Sequence, residues 1–309
     1  MTGIPRYRSQ PGLALLSAGF RPFFLLSAIW ANLAIPLWIA AFSGRAPLPT
    51  VLPPVAWHVH EMVFGYATAT VAGFLLTAIL NWTGRLPLQG GPLAILVVLW
   101  LAGRAAMLLS PYIGAGVVAA LDLSFPLAFL TVVTREIIAG RNWRNLPMLM
   151  ALAFLLGGNA LVHLEAIHVA DTAAVGNRIG VATLLMLISF VGGRIIPSFT
   201  HNWLVKQRPD VRSPTVFNWV NRAALVMTAF ALAVWVLAPD GVVMPWVCLV
   251  AGVAHCLRLA RWRGLATLRE PLLCVLHLGY RWLGVGFLLL GLDVNQHPAR
   301  TPGRCATTL

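Results

Sequence analysis

Charged side chains are scarce in this sequence. Asp, Glu, Lys and Arg make up only 10% of its 309 residues, whereas a soluble domain carries about a quarter. So few charges cannot cover a water-facing surface, which excludes an ordinary soluble globule. Cysteine is also sparse, at Cys248, Cys256, Cys274 and Cys305, with no CxxC or CxxCH spacing. That leaves a disulfide framework, a Cys-rich zinc site and covalently attached c-type haem without support. The first three cysteines lie inside apolar runs, where a thiol behaves as a small hydrophobe. Acidic residues number 9 against 22 basic ones, a net charge of +13. In a soluble protein that excess would point to nucleic acid. In a membrane chain it reflects the Arg and Lys of cytoplasmic loops, so no nucleic-acid partner is expected. Lys206 is the only lysine.

Apolar length is what the sequence has in quantity. Hydrophobic residues make up 59% of it, and runs long enough to cross a bilayer recur throughout. Hydropathy and breakers predict an all-α, polytopic membrane bundle of about nine spans: 23–43, 57–80, 92–110, 113–134, 147–169, 176–196, 216–238, 242–260 and 272–292. Pro, Gly and Arg mark the joints, among them Pro53-Pro54, Gly84-Arg85, Gly140-Arg141, Pro209, Pro214 and Pro239-Asp240-Gly241. Arg6 and Arg8 precede an apolar stretch as in a signal peptide. Arg21 and Pro22 interrupt that stretch and no small-residue cleavage site follows, so a retained first helix is expected. No linker is long or polar enough to separate domains, and no internal repeat is visible; a single membrane domain over 1–298 is expected.

Loop charges predict orientation. Arg6, Arg8, Arg85, Arg135, Arg141, Arg144, Lys206, Arg208, Arg212, Arg258, Arg261, Arg263 and Arg269 fall on one set of loops. The other set holds little beyond Arg45, Arg178 and the C-terminal tail, which places the N-terminus in the cytoplasm. His58, His60, His163 and His168 then lie toward the outer face, and His201, His255 and His277 toward the cytoplasm, with His201 in a loop.

Trp57 to Tyr66 reads WHVHEMVFGY and opens the second span. At about 100° per residue, His58 and Glu61 share a helix face and His60 points almost opposite. The two histidines therefore cannot both ligate one metal unless the helix mouth is unwound. The His58 face continues as Met62, Gly65, Ala69 and Gly73, small residues that admit another helix or a flat cofactor. The fifth span ends in GGNALVHLEAIHVA, where Asn159 and His163 share one face and Glu165 and His168 another. Imidazole is the commonest protein ligand for haem iron and copper, and a nearby carboxylate can orient its second nitrogen. A lone histidine at a helix end is usually an interface residue. Two His-rich ends on one membrane face, each with a glutamate, make a site as good a reading. For His255 and His277 the bland expectation is a hydrogen bond to a neighbouring helix.

Asp122, Arg104 and Arg194 fall within spans, where charge is costly and marks function or pairing. Asp122 paired to an arginine is the structural expectation, and a proton or ion path the functional one. Arg21, Arg194 and Arg281 suit haem propionates. Trp38, Trp82, Trp100, Trp203 and Trp282 read as an interfacial aromatic belt.

GFRPFFLLSA (19–28), WHVHEMVFGY (57–66), AGFLLTAILNWTG (72–84), GGRIIPSFT (192–200) and REPLLCVLHLGYRWL (269–283) resemble blocks of the NnrS family, in the family's order. The motif residues that carry over are His58, His60, Glu61, Arg194, Pro197 and His277. Leu80 stands where the family has proline and Cys274 where it has tryptophan. The resemblance implies a multi-pass protein of the bacterial inner membrane that holds haem and copper and serves nitric oxide metabolism, denitrification or resistance to nitrosative stress. Its implied partners are the lipid bilayer, nitric oxide and a membrane or periplasmic electron donor. The candidate cofactor ligands are His58, His60, His163, His168, His255 and His277, with His58, His60 and Glu61 as the candidate metal cluster. The family also continues into further helices, whereas this chain ends in HPARTPGRCATTL; a truncation or frameshift near Asn295 is expected, with 299–309 a non-family tail. The alternative function is a transporter or channel for a metal, haem or small solute, and a third is a cofactor-binding sensor or assembly factor.

Overall fold

The computed structural model describes residues 13–83, 88–207 and 219–296. Arg6, Arg8, Arg85, Arg208, Pro209, Arg212, Pro214, Cys305 and the tail lie outside the described residues, as does the side chain of Trp82. Among the described residues the chain is helical and holds no strand. Helices α1 (Phe20–Phe42), α2 (residues 54–83), α3 (Gly91–Leu108), α4 (Ala115–Ala139), α5 (Leu146–Ala166), α6 (Ala173–Gln207), α7 (Trp219–Leu237), α8 (Met244–Ala260) and α9 (Pro271–Gln296) match the nine predicted spans. Eight are long and apolar enough to cross a membrane, while α8 falls just short at 17 residues. The chain is thus a polytopic helical bundle.

Proline sits in the first turn of α3, α5 and α8, where its missing N–H costs nothing. The sixth span does not end at residue 196 as expected: the helix runs on to Gln207 with Pro197 buried inside it, so His201 is on a helix and not in a loop. Two helices widen to π geometry for a turn: α2 at Glu61–Ala67 and α6 at Ile188–Gly192. Such segments shift the side-chain register and free carbonyls from the helical ladder. A side chain from another helix takes up one carbonyl in each. Trp100 Nε1 donates to Gly65 O at 3.1 Å, and Arg258 Nη1 donates to Ser189 O at 3.0 Å.

The helices gather in two compact units, Met1–Thr183 and Leu184–Leu309. In the first, α1 packs on α2, α3 lies along α4, and α4 along α5. Helix α1 buries Phe23, Trp30 and Ala34 and turns Leu25, Ile29, Leu33 and Leu37 outward. Both faces are apolar, so packing, not polarity, separates them, as expected when the outer solvent is lipid. The α5–α6 contact is close: a Cβ at Gly158 would stand 2.8 Å from Gly176 O. In the second unit α7, α8 and α9 pack in sequence. There Gly252 lies against Leu288, and Gly291 against Pro245 O.

Candidate metal centre

The ionisable groups buried in the first unit converge on one place. Trp30 of α1, His60 and Glu61 of α2, Arg104 of α3, Asp122 of α4, and Asn159 and His163 of α5 are all buried there. Sequence patterns bring four of them into line. His60 and Glu61 are neighbours at the junction where α2 turns π, and Asn159 and His163 lie one turn apart on α5. Packing supplies the rest. A Cβ at Gly103 would stand 3.0 Å from Asp122 Oδ1, so the missing side chain is what lets α4 approach α3 at the level of the cluster.

Asp122 is the hub. Its Oδ2 lies 3.3 Å from His60 Nε2, accepts from His163 Nε2 at 2.9 Å and accepts from Asn159 Nδ2 at 2.7 Å. Its Oδ1 is paired with Arg104 Nη2, and Arg104 Nη1 reaches Glu61 Oε2 at 2.5 Å. The same Oε2 accepts from Trp30 Nε1 at 2.8 Å. His60 Nδ1 donates to Glu61 Oε1 at 3.1 Å, and its Nε2 also stands 2.9 Å from Asn159 Oδ1. One guanidinium thus clamps two carboxylates away from water. Unpaired, either carboxylate would be strongly destabilising in such a place. Of the two expectations for Asp122, the arginine pair is present.

One ligand atom from each of His60, Asp122 and His163 lies within 4.8 Å of the others. Two imidazole nitrogens and a carboxylate oxygen make a donor set that suits copper, among other first-row metals. The outer half of His60 supports the same reading. A ring nitrogen donating to a carboxylate, as Nδ1 does to Glu61, is the usual way that a metal-bound imidazole is oriented. A small void of about 10 Å³, roughly the space one water needs, touches the two rings and is also lined by Met107, Ser110, Val118 and Val162.

The expected pairing of His58 with Glu61 is not what the helix does. The π turn that starts at Glu61 and the pull of the Arg104 guanidinium bring Glu61 beside His60. His58 instead stacks on Trp38, with ring centroids 3.9 Å apart and planes 18° apart, and its Nδ1 is buried without a partner. The small residues of α2 do admit close neighbours, although protein groups fill the space. A Cβ at Gly65 would lie 2.5 Å from Arg104 Nη1, and one at Gly73 would lie 2.8 Å from the Phe24 ring. Trp100 is no belt residue, since it is buried and holds Gly65 O. Trp30, missed in the sequence, is buried on Glu61. Its signal was modest: an indole mid-span needs a hydrogen-bond acceptor.

The other predicted histidines are separate from this cluster. His168 stands exposed with φ 61 in the turn after α5, while Glu165 accepts from Ala173 N at the start of α6. In the second unit, Arg258 Nη1 donates to Tyr280 Oη at 2.8 Å, and Tyr280 is 2.9 Å from His255 Nδ1. The Thr228 hydroxyl donates to Ala224 O, so His255 Nε2 is the donor in its 2.8 Å bond to Thr228. Both His255 nitrogens are therefore engaged by neighbouring helices. His277 differs. Its Nδ1 donates to Leu273 O at 2.8 Å, which leaves Nε2 as an acceptor, 3.5 Å from Thr200 Oγ1.

No curated protein and no solved structure matches the chain. The family model described as NnrS protein matches residues 14–304, which takes in the cluster on α2–α5 and the Arg258 network alike. A multi-pass helical protein matched over that length belongs to the NnrS family.

Proposed function

We propose that the His60–Asp122–His163 cluster is the copper centre of a haem- and copper-containing inner-membrane protein of nitric oxide metabolism or resistance to nitrosative stress. The observation that carries the reading is the convergence of two Nε2 atoms on one carboxylate oxygen, with the second nitrogen of His60 anchored on Glu61. His60 and His163 supply nitrogen, Asp122 supplies oxygen, and Arg104 holds the carboxylates in place. When bound, copper supplies one-electron redox chemistry. The protein's own part is to orient the imidazoles and to exclude bulk water, and the void beside the rings admits a ligand no larger than about one water.

Of the candidate ligands outside the copper cluster, His277 and His58 suit haem iron better than His255. His277 keeps Nε2 as an acceptor because Nδ1 is held by a backbone carbonyl, a common arrangement for a ligating imidazole. His58 has a buried, unpartnered Nδ1. His255 would have to give up a hydrogen bond at either nitrogen.

The full chain purified in detergent should contain copper by elemental analysis and show a Soret band. Absence of both from well-folded protein overturns the reading. The transporter alternative predicts solute flux in proteoliposomes without a chromophore. It has less support, because the void at the cluster is about 10 Å³ and Asp122 is clamped by Arg104.

A further inference from the structure

The segment that joins α8 to α9, residues 261–270, is too short to cross a membrane and lies between two membrane helices. It is fastened from within. Trp262 is buried with its ring centroid 4.6 Å from that of Tyr280, and Thr267 O accepts from Cys274 Sγ at 3.4 Å. Yet its 3₁₀ turn, Gly264–Thr267, and the next residue turn Leu265 (85% exposed) and Leu268 (67% exposed) outward, uncovered by the described residues. Beside them, against the last turns of α6, runs a groove of about 920 Å³ lined by Trp203, Leu204, Gln207, Arg263, Arg269 and Glu270. A connection between spans stands at the membrane–water boundary, where apolar side chains reach the acyl chains and arginines stand at the phosphates.

We propose that this groove binds the headgroup of an anionic, hydroxyl-bearing phospholipid such as phosphatidylglycerol, with Leu265 and Leu268 seated among the acyl chains. The Arg263 and Arg269 guanidinium groups match phosphate oxygens in geometry and charge, and Arg261 adds a third cation on the same segment. Glu270 disfavours a bare phosphate. Together with Gln207 it offers acceptors for headgroup hydroxyls, which sets this groove apart from a simple anion site. Trp203 adds an indole ring to the groove wall, a side chain that favours the headgroup layer. Basic pockets between membrane helices are a recurrent form of lipid recognition.

The test is native mass spectrometry of the full chain in detergent with added phosphatidylglycerol or phosphatidylcholine. Phosphatidylglycerol should be retained in preference by on the order of tenfold or more, and Arg263→Gln with Arg269→Gln should remove that preference. Arg141→Gln with Arg144→Gln, exposed arginines on another segment, should leave it intact. Leu265→Ser with Leu268→Ser should weaken retention several-fold with the helical circular dichroism unchanged. Equal retention of the two lipids overturns the proposal. So does an equal loss in the Arg141/Arg144 variant, which would mean diffuse surface charge. Full displacement by millimolar inorganic phosphate overturns it too, because the ligand would then be free phosphate.

Discussion

His60 and His163 meet across one oxygen atom: Asp122 Oδ2 lies 3.3 Å from one Nε2 and 2.9 Å from the other. Two imidazoles on different helices, aimed at the same carboxylate oxygen, are spaced nearly as ligands of a shared ion would be. Asp122→Asn keeps the size and removes the charge. Copper in the purified chain should fall at least tenfold by elemental analysis, with the Soret band retained. Copper at the wild-type level in the variant would remove Asp122 from the ligand set.

Arg104 joins Glu61 and Asp122 inside the unit, and all three are nearly inaccessible. Arg104→Met leaves two carboxylates without their cation, a loss of about 3–5 kcal/mol. Replacing all three as Glu61→Gln, Arg104→Met and Asp122→Asn should recover much of it. Thermal unfolding in detergent would show the order wild type, triple variant, single variant. A single variant as stable as wild type would mean that the clamp contributes little.

Gly65 sits under the clamp, where a Cβ would stand 2.5 Å from Arg104 Nη1 and 2.9 Å from Glu61 Oε2. Gly65→Ala should lower both the unfolding temperature and the copper content. Gly157, on α5, meets nothing within 4 Å, so Gly157→Ala should be neutral or stabilising by up to about 1 kcal/mol. Equal effects at the two sites would show that the clamp yields easily to an added methyl.

The histidines of the second unit separate by their hydrogen bonds. His277→Ala should abolish or shift the Soret band, because it removes an imidazole whose Nε2 accepts. His255→Gln should keep the band and lower stability by about 1–3 kcal/mol, as bonds to Thr228 and Tyr280 are disturbed. Loss of the band in His255→Gln alone would reverse the assignment.

Hydropathy and breakers carry the element order because lipid demands long apolar helices whatever their neighbours. The spans were legible on that basis, and the end of α6 marks its limit: hydropathy stops the span at residue 196, whereas the helix continues past the buried Pro197 to Gln207. Half of the cluster was legible too. Asn159 and His163 share a face by their spacing, and Asp122 and Arg104 stood out as charges that a membrane interior must pair.

Tertiary packing decided which charge meets which. The π turn at Glu61 and the close approach of α3 and α4 at Gly103 bring Glu61, Arg104 and Asp122 together and pair Glu61 with His60 in place of His58. A regular 100° periodicity holds neither, because register shifts and interhelical distances come from contacts between segments far apart in the chain. The sequence by itself therefore determined a polytopic helical membrane protein with unpaired-looking charges. Packing gathered Glu61, Arg104 and Asp122 into one buried centre.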